Sequence, residues 1–254
     1  MNFDEIDVPP NNGISSLHYA PGSSTHFCTT TWTGELNIYS TENLSLEKTF
    51  GFQVPLICST WIGNSGNIAA GSINGTVFFS NGKVIKKHNS GVSTIGYIEN
   101  LEMFYSCSWD GFMHVWKGFE NENPIYSFEI EQKILVACSS GDHVVLCTNK
   151  NQTYIIDLSD PHSCFERRVS SLQMQIRFIT PSRPSEYGWA VASIDGRVAI
   201  EYFGDLRSQA QRFAFHGHRK EEGDKIIVYP INTMSFHPVE EGILATACSG
   251  GVIN

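Results

Sequence analysis

Two tryptophans occupy the same place in two different turns of this chain, Trp32 in Trp32-Thr33-Gly34 and Trp109 in Trp109-Asp110-Gly111. A large indole at a turn is unfavourable in water unless it packs on a neighbouring loop or a ligand covers it, and an extended peptide is a suitable cover. Arg197 follows another turn glycine, in Asp195-Gly196-Arg197. There a guanidinium either clamps a partner's carboxylate with two parallel hydrogen bonds or closes an ion pair within the chain. Farther on, the connection from Gly204 to Pro230 carries Arg207, Arg212, Arg219, Lys220 and Lys225 against Asp205, Glu221, Glu222 and Asp224. Its net charge is only +1, so any anion site in it has to come from geometry and not from bulk field.

Catalytic chemistry finds no constellation. The nine histidines contain no His-x-x-x-His, and His216-Gly217-His218 alone is too little for zinc. No Gly-x-Ser-x-Gly, phosphate-binding loop or dinucleotide fingerprint is present. Acids such as Glu35 and Asp195 sit singly at turns. We therefore expect no enzyme, no metal and no cofactor. The chain has 254 residues, 41% hydrophobic and 17% charged, with a net charge of −9. That composition is too apolar for a disordered chain, and its sign opposes wrapping of nucleic acid. The charge is uneven: residues 1–160 carry −9 and residues 161–254 carry 0, with all eight arginines in the second part. An anionic ligand is favoured there.

The seven cysteines, Cys28, Cys58, Cys107, Cys138, Cys147, Cys164 and Cys248, form no Cys-x-x-Cys pair and mostly lie in β-like runs. They read as reduced, buried small hydrophobes of an intracellular protein. The acidic start and the lack of a long apolar run predict a soluble chain that is neither secreted nor membrane-spanning.

The elements that must position the turn residues repeat. A run of small and β-branched residues, a glycine turn and an alternating strand recur at 29–40, 69–80, 106–117, 190–203 and 245–254, with a weaker copy at 144–159. Each junction is a two-residue hairpin signal, and an apolar strand precedes each copy, at 14–20, 56–62, 92–98, 133–139, 174–180 and 231–237. A period near 40 residues with three or four strands per unit predicts an all-β, WD-repeat β-propeller, one domain over 1–254 with six units counted. In the third unit His88, Ser108, Asp110 and Trp116 match the positions that hydrogen-bond across such a blade, and His218 reads as another blade histidine. Asn254 falls midway through the third strand of unit six. The sequence thus reads as C-terminally truncated, its last blade incomplete, with Phe3 to Val8 as the outer strand of a further blade. Strand parity places Trp32, Trp109 and Arg197 on one face together with the connection Gly204 to Pro230.

Several stretches carry a family resemblance: Pro9-Pro10-Asn11-Asn12-Gly13-Ile14-Ser15-Ser16, residues 166–177 from Glu166-Arg167-Arg168 to Ile176-Arg177, residues 193–202 from Ser193-Ile194-Asp195-Gly196-Arg197 to Tyr202, and Phe213-Ala214-Phe215-His216-Gly217-His218-Arg219. They resemble the WD-repeat adaptors of the mitotic spindle checkpoint, the budding-uninhibited-by-benzimidazole group, and beyond them the messenger-RNA export propellers. The resemblance implies a non-enzymatic platform in nucleus, kinetochore and cytoplasm. It would bind GLEBS-type segments of a checkpoint kinase and its BubR/Mad-type relative, and phosphothreonine repeats of a phosphorylated kinetochore scaffold. No direct nucleic-acid or membrane contact is implied, and the propeller would be a monomer within a hetero-complex. By this resemblance Trp32 and Trp109 are peptide contacts, Arg197 clamps glutamates, and Arg219, with His216 and Lys220, forms the phosphothreonine side. Two departures stand out. His216-Gly217 replaces a Lys-Cys pair, removing a permanent cation, and Val169 replaces an acid. The alternatives are an export propeller that binds a nucleoporin segment and a truncated, nonfunctional paralogue.

Overall fold

A computed structural model describes residues 5–6, 8–10, 12–118, 121–163, 165–182, 188–204 and 210–254. Half of the expected Phe3–Val8 strand, namely Phe3, Asp4 and Asp7, together with Cys164, Asp205 and Arg207, lies outside the described residues. The chain divides into two compact units, Met1–Lys133 and Ile134–Asn254.

The first unit holds three four-stranded antiparallel sheets, each in simple sequential order. They are β1 (Ile14–Tyr19), β2 (His26–Thr31), β3 (Glu35–Ser40) and β4 (Ser45–Gly51); β5 (Leu56–Ile62), β6 (Asn67–Ser72), β7 (Thr76–Phe79) and β8 (Val84–Lys86); and β9 (Val92–Ile98), β10 (Met103–Ser108), β11 (Phe112–Lys117) and β12 (Tyr126–Glu129). The second unit has two more such sheets, β13 (Ile134–Ser140) to β14 (His143–Thr148), β15 (Gln152–Asp157) and β16 (Glu166–Val169), and β17 (Ile176–Pro181) to β18 (Gly188–Ser193), β19 (Arg197–Tyr202) and β20 (Phe213–His216). Two two-stranded sheets follow, β21 (Arg219–Glu222) with β22 (Lys225–Val228), and β23 (Ile231–Phe236) with β24 (Leu244–Cys248). Among the described residues no helix is long and apolar enough to cross a membrane.

The same local chemistry closes one turn in the first, second and fourth blades. The hydroxyl that ends the second strand accepts the N–H that opens the third: Glu35 N to Thr31 Oγ1 at 3.0 Å, Thr76 N to Ser72 Oγ at 3.1 Å, Gln152 N to Thr148 Oγ1 at 3.3 Å. That bond closes the turn without help from a neighbouring blade. Gly34 sits there at φ +90°, and a Cβ on it would lie 2.1 Å from the Phe52 carbonyl oxygen. In the fourth blade Asn151 takes the left-handed conformation instead, at φ 55°. Every first strand also carries a bulge at one equivalent residue: Ser15, Ile57, Ser93, Leu135, Arg177 and Asn232. A bulged residue leaves the ladder and is re-aimed.

Apolar faces meet between successive sheets within each unit. Phe79, Ile95, Phe104 and Trp116 share one cluster, with Phe104 and Trp116 stacked at 4.9 Å. Val145, Ile179, Trp189 and Phe203 form another, and Ala190, Val198, Ile231 and Met234 a third. Arg168 lies over the Trp189 ring and donates to the Tyr202 carbonyl at 2.6 Å. Six cysteines are buried and unpaired, all within strands.

One expectation needs correction. The segment from Gly204 to Pro230 is not one long loop: residues 213–216 are the fourth strand of the fifth blade, and 219–228 form a separate hairpin. These strands are solvent-exposed, so their residues lack the buried alternation that marks a strand in sequence.

Candidate functional site

Trp32 and Trp109 both stand at the turn between the second and third strands of their blades, one residue past β2 and β10. Each backbone N–H donates to a glycine at the foot of the blade's first strand, Trp32 to Gly13 at 3.1 Å and Trp109 to Gly91 at 3.0 Å. Both rings pack against those glycines. A Cβ on Gly91 would fall 2.7 Å from two Trp109 ring carbons, and one on Gly13 would fall 3.3 Å from Trp32. Glycine at position 91 thus leaves the room that the Trp109 ring fills, while Trp32 touches Gly13 through Cδ1 alone. Trp32 is 49% exposed and Trp109 partly buried. The intervening blade puts Ile73 at the equivalent turn, 42% exposed, and the Ile73 carbonyl also approaches Gly91. Sequence reading missed Ile73, although its position in Ile73-Asn74-Gly75 repeats that of the tryptophans.

In the second unit Arg197 opens β19, and its Nε lies 3.3 Å from Asp195 Oδ2 within the same turn. The side chain remains 43% exposed, so the ion pair leaves part of the guanidinium open. His216 is its direct cross-strand partner and is exposed. Arg219 and Lys220 belong to β21; Lys220 is paired with Glu222 at 2.7 Å, which neutralises it locally, whereas Arg219 faces Val228 across the ladder. Arg177, the bulge residue of β17, donates from Nε to Asn232 Oδ1 at 2.8 Å. The sequence motif hid it, because a bulge is not visible in residue type.

The third blade holds the densest polar network. Asp110 Oδ2 is 3.1 Å from His88 Nδ1 and accepts the Asn89 N–H at 2.8 Å, while Oδ1 accepts the Phe112 N–H at 2.9 Å. Burial works to raise the Asp110 carboxyl; the two N–H bonds, the His88 charge and the Ser108 hydroxyl outweigh it and hold the carboxyl below its ordinary range. His88 moves down because burial outweighs the attraction of Asp110. The serine partner differs from the expected one: His88 Nε2 meets Ser106 at 2.7 Å, and Ser108 donates to the Ser90 carbonyl at 3.1 Å. Residues two apart on a strand share a face, so the ring reaches the serine one pair deeper. Trp116 also departs from expectation. Its indole N–H goes to the Glu122 carbonyl at 3.3 Å and its ring to Phe104, because the core claims that face. His218 is buried, with Nε2 2.8 Å from Thr246 Oγ1; Gly250 stands four residues on, where the third blade has Asp110.

Ser106, His88 and Asp110 are arranged like an acid–base triad, yet Ser106 is fully buried and His88 is 3% exposed. No substrate carbonyl reaches such a hydroxyl, so the network holds the blade together. Among the described residues no group of three or more His, Cys, Asp or Glu can hold a metal ion.

No family model matches the chain. It is 29% identical over its whole length to the spindle assembly checkpoint protein bub3 of Schizosaccharomyces pombe, covering 80% of that protein. It is also 29% identical to mitotic checkpoint protein BUB3.1 of Arabidopsis thaliana, over 98% of this chain and 75% of that one. The poly(A)+ RNA export protein of Schizosaccharomyces pombe is 24% identical over 98% of this chain and 73% of its own. In fold, 96% of the chain superposes on 74% of a chain in a crystal structure of the mitotic checkpoint complex, with a TM-score of 0.77 at 13% identity. The all-β, WD-repeat propeller fold class stands, as does the resemblance to the checkpoint WD-repeat proteins with the export branch beside them.

Proposed function

We propose that this chain is a non-enzymatic adaptor of the mitotic spindle assembly checkpoint that acts in the nucleus and at kinetochores. It binds extended GLEBS-type segments of a checkpoint kinase and its BubR/Mad-type relative. The observation that carries this reading is the repeated turn indole, here called the shelf: two blades of one unit set a tryptophan against a glycine at the same turn, Trp32 half exposed and Trp109 partly so. Aromatic rings on a rigid scaffold are the usual anchors of peptide recognition. Arg197, partly open beside Asp195, supplies a carboxylate clamp, and Arg219, with His216 and the Glu222-paired Lys220 near it in sequence, supplies the cation for phosphothreonine of a kinetochore scaffold.

Calorimetry with a GLEBS-type peptide tests the reading. Trp109→Ala and Arg197→Glu are each expected to weaken binding by ~1–3 kcal/mol, as hot-spot contacts do. Unchanged affinity in both variants rejects the site. A second reading, an export propeller, is favoured by the 32% identity over 133 residues to Protein RAE1 of Arabidopsis thaliana, although that match spans only 36% of the relative. Pull-down from mitotic cells separates the two: checkpoint kinases support the first, a nucleoporin the second.

A further inference from the structure

At the other end of the same blades lies a small cavity of about 120 Å³, walled by Tyr19, Trp61 and Tyr97 with His18 and Glu99 beside them. It gathers the ends of three neighbouring first strands, β1, β5 and β9, so residues remote in sequence meet there. We propose that this cavity binds a methylated ammonium group, a site distinct from the peptide shelf.

Three aromatic residues contribute to its lining together with Pro21 and Thr60, Tyr19 exposed at the rim and Trp61 buried at the back. The Trp61 indole N–H, the ring's only polar atom, donates to the His18 carbonyl at 3.0 Å and asks nothing of a ligand. Tyr19 is backed by Phe27 at 5.6 Å, which is itself stacked on Tyr39 at 5.1 Å, so the rim ring is supported from behind. The field at the mouth is anionic. Burial raises the Tyr97 hydroxyl above its ordinary pKa, and the carboxylates of Glu102 and Glu99 raise it further. Glu99 makes no ion pair among the described residues. The whole unit, Met1–Lys133, has six lysines, no arginine and thirteen acids, a net charge of −7.

A quaternary ammonium carries its charge on methyl groups that have no hydrogen bond to lose, and ring faces attract it through their quadrupoles. A free lysine ammonium is strongly hydrated and enters the same space at greater cost. The cavity is well below the ~300 Å³ at which drug-sized pockets begin, which limits the ligand to one small head group. Gly13 and Gly91 support the indoles at the start of β1 and β9, whereas Tyr19 and Tyr97 lie at the far ends, so occupying one site leaves the other free.

The test is an NMR titration of the full chain, following the Trp61 indole N–H, with choline chloride, Nε-trimethyl-lysine, unmethylated lysine and the uncharged isostere of choline that carries tert-butyl. Saturable binding of either methylated cation, roughly fivefold tighter than the isostere and lysine, is expected. Tyr19→Ala, at an exposed rim position, is expected to lose about fivefold in affinity and Glu99→Gln about twofold, each with an unchanged thermal melt. Trp109→Ala leaves choline binding intact, which separates this site from the peptide proposal. Binding of both cations assigns the ammonium group alone as ligand, and binding of trimethyl-lysine only assigns a modified protein side chain. Absence of saturation, equal affinity for the neutral isostere, or full affinity in both cavity variants overturns the proposal.

Discussion

At the scale of single residues, the third blade stores a pH response in its histidines. The His114 and His88 rings lie 4.7 Å apart, both buried, and His114 Nδ1 is 2.9 Å from Ser127 Oγ. Burial, then the charges of His88 and Lys87, push His114 down to about 4, against the pull of Asp110. Histidine in the unfolded chain titrates near 6.5. Between those values the unfolded chain binds protons that the folded chain refuses, so stability present above pH 6.5 drains away as the pH falls towards 4. His88, also lowered, adds in the same direction. Urea unfolding at pH 7 and at the acid end should show a loss on the order of 2 kcal/mol from His114. His114→Gln keeps a side chain that can reach Ser127 but cannot titrate. Its stability should vary less with pH by about that amount, even if it is less stable at neutrality. A slope equal to that of the parent chain contradicts the assignment.

At the scale of elements, the hairpin between the second and third strands carries the site, and its glycine is the point of least tolerance. Gly34→Ala would meet both a left-handed φ and the Phe52 and Val54 carbonyl oxygens, at 2.1 Å and 2.5 Å. Gly22 shares the left-handed φ but has nothing within 4 Å. Chemical denaturation should therefore show Gly34→Ala costing more than about 2 kcal/mol and Gly22→Ala about 1; equal losses would mean that close approach plays no part. The inner strands of the blades were legible in sequence because their buried faces impose alternation: the run at 56–62 coincides with β5 and that at 92–98 with β9. The outer strands were not. β20 pairs along one edge and is exposed throughout, so Phe213-Ala214-Phe215-His216 reads as part of the connection from Gly204 to Pro230, and β16 buries little beyond the Arg168 side chain. The weak fourth hairpin has the same explanation on a smaller scale, Asn151 standing where other blades use glycine. Of the site, the two indoles were readable because tryptophan at a turn conflicts with its surroundings. Ile73 gave no such conflict, and the choice of Ser106 over Ser108 depends on how deep the His88 ring reaches.

At the scale of the whole chain, thiols report how completely the blades are sealed. Cys28 and Cys58 lie in the first unit and Cys147 in the second; burial pushes them up to about 11, 12 and 12, partly offset at Cys28 by the Ser59 hydroxyl and at Cys147 by that of Thr153. Burial also raises Cys107 and Cys138 strongly, with a second thiol close to each. Only the thiolate attacks, so at pH 8 these five groups are both shielded and almost entirely protonated. Pulsed alkylation read by mass spectrometry should leave all five unlabelled in the native chain and label them only as denaturant removes the β-sheet signal. The three in the first unit and the two in the second report separately, so the order in which the units open is read in the same experiment. Labelling of Cys58, on the first strand between the two indole-bearing blades, before any loss of sheet would show that β5 leaves its blade locally, and the rigid scaffold on which the peptide reading depends would then be lost.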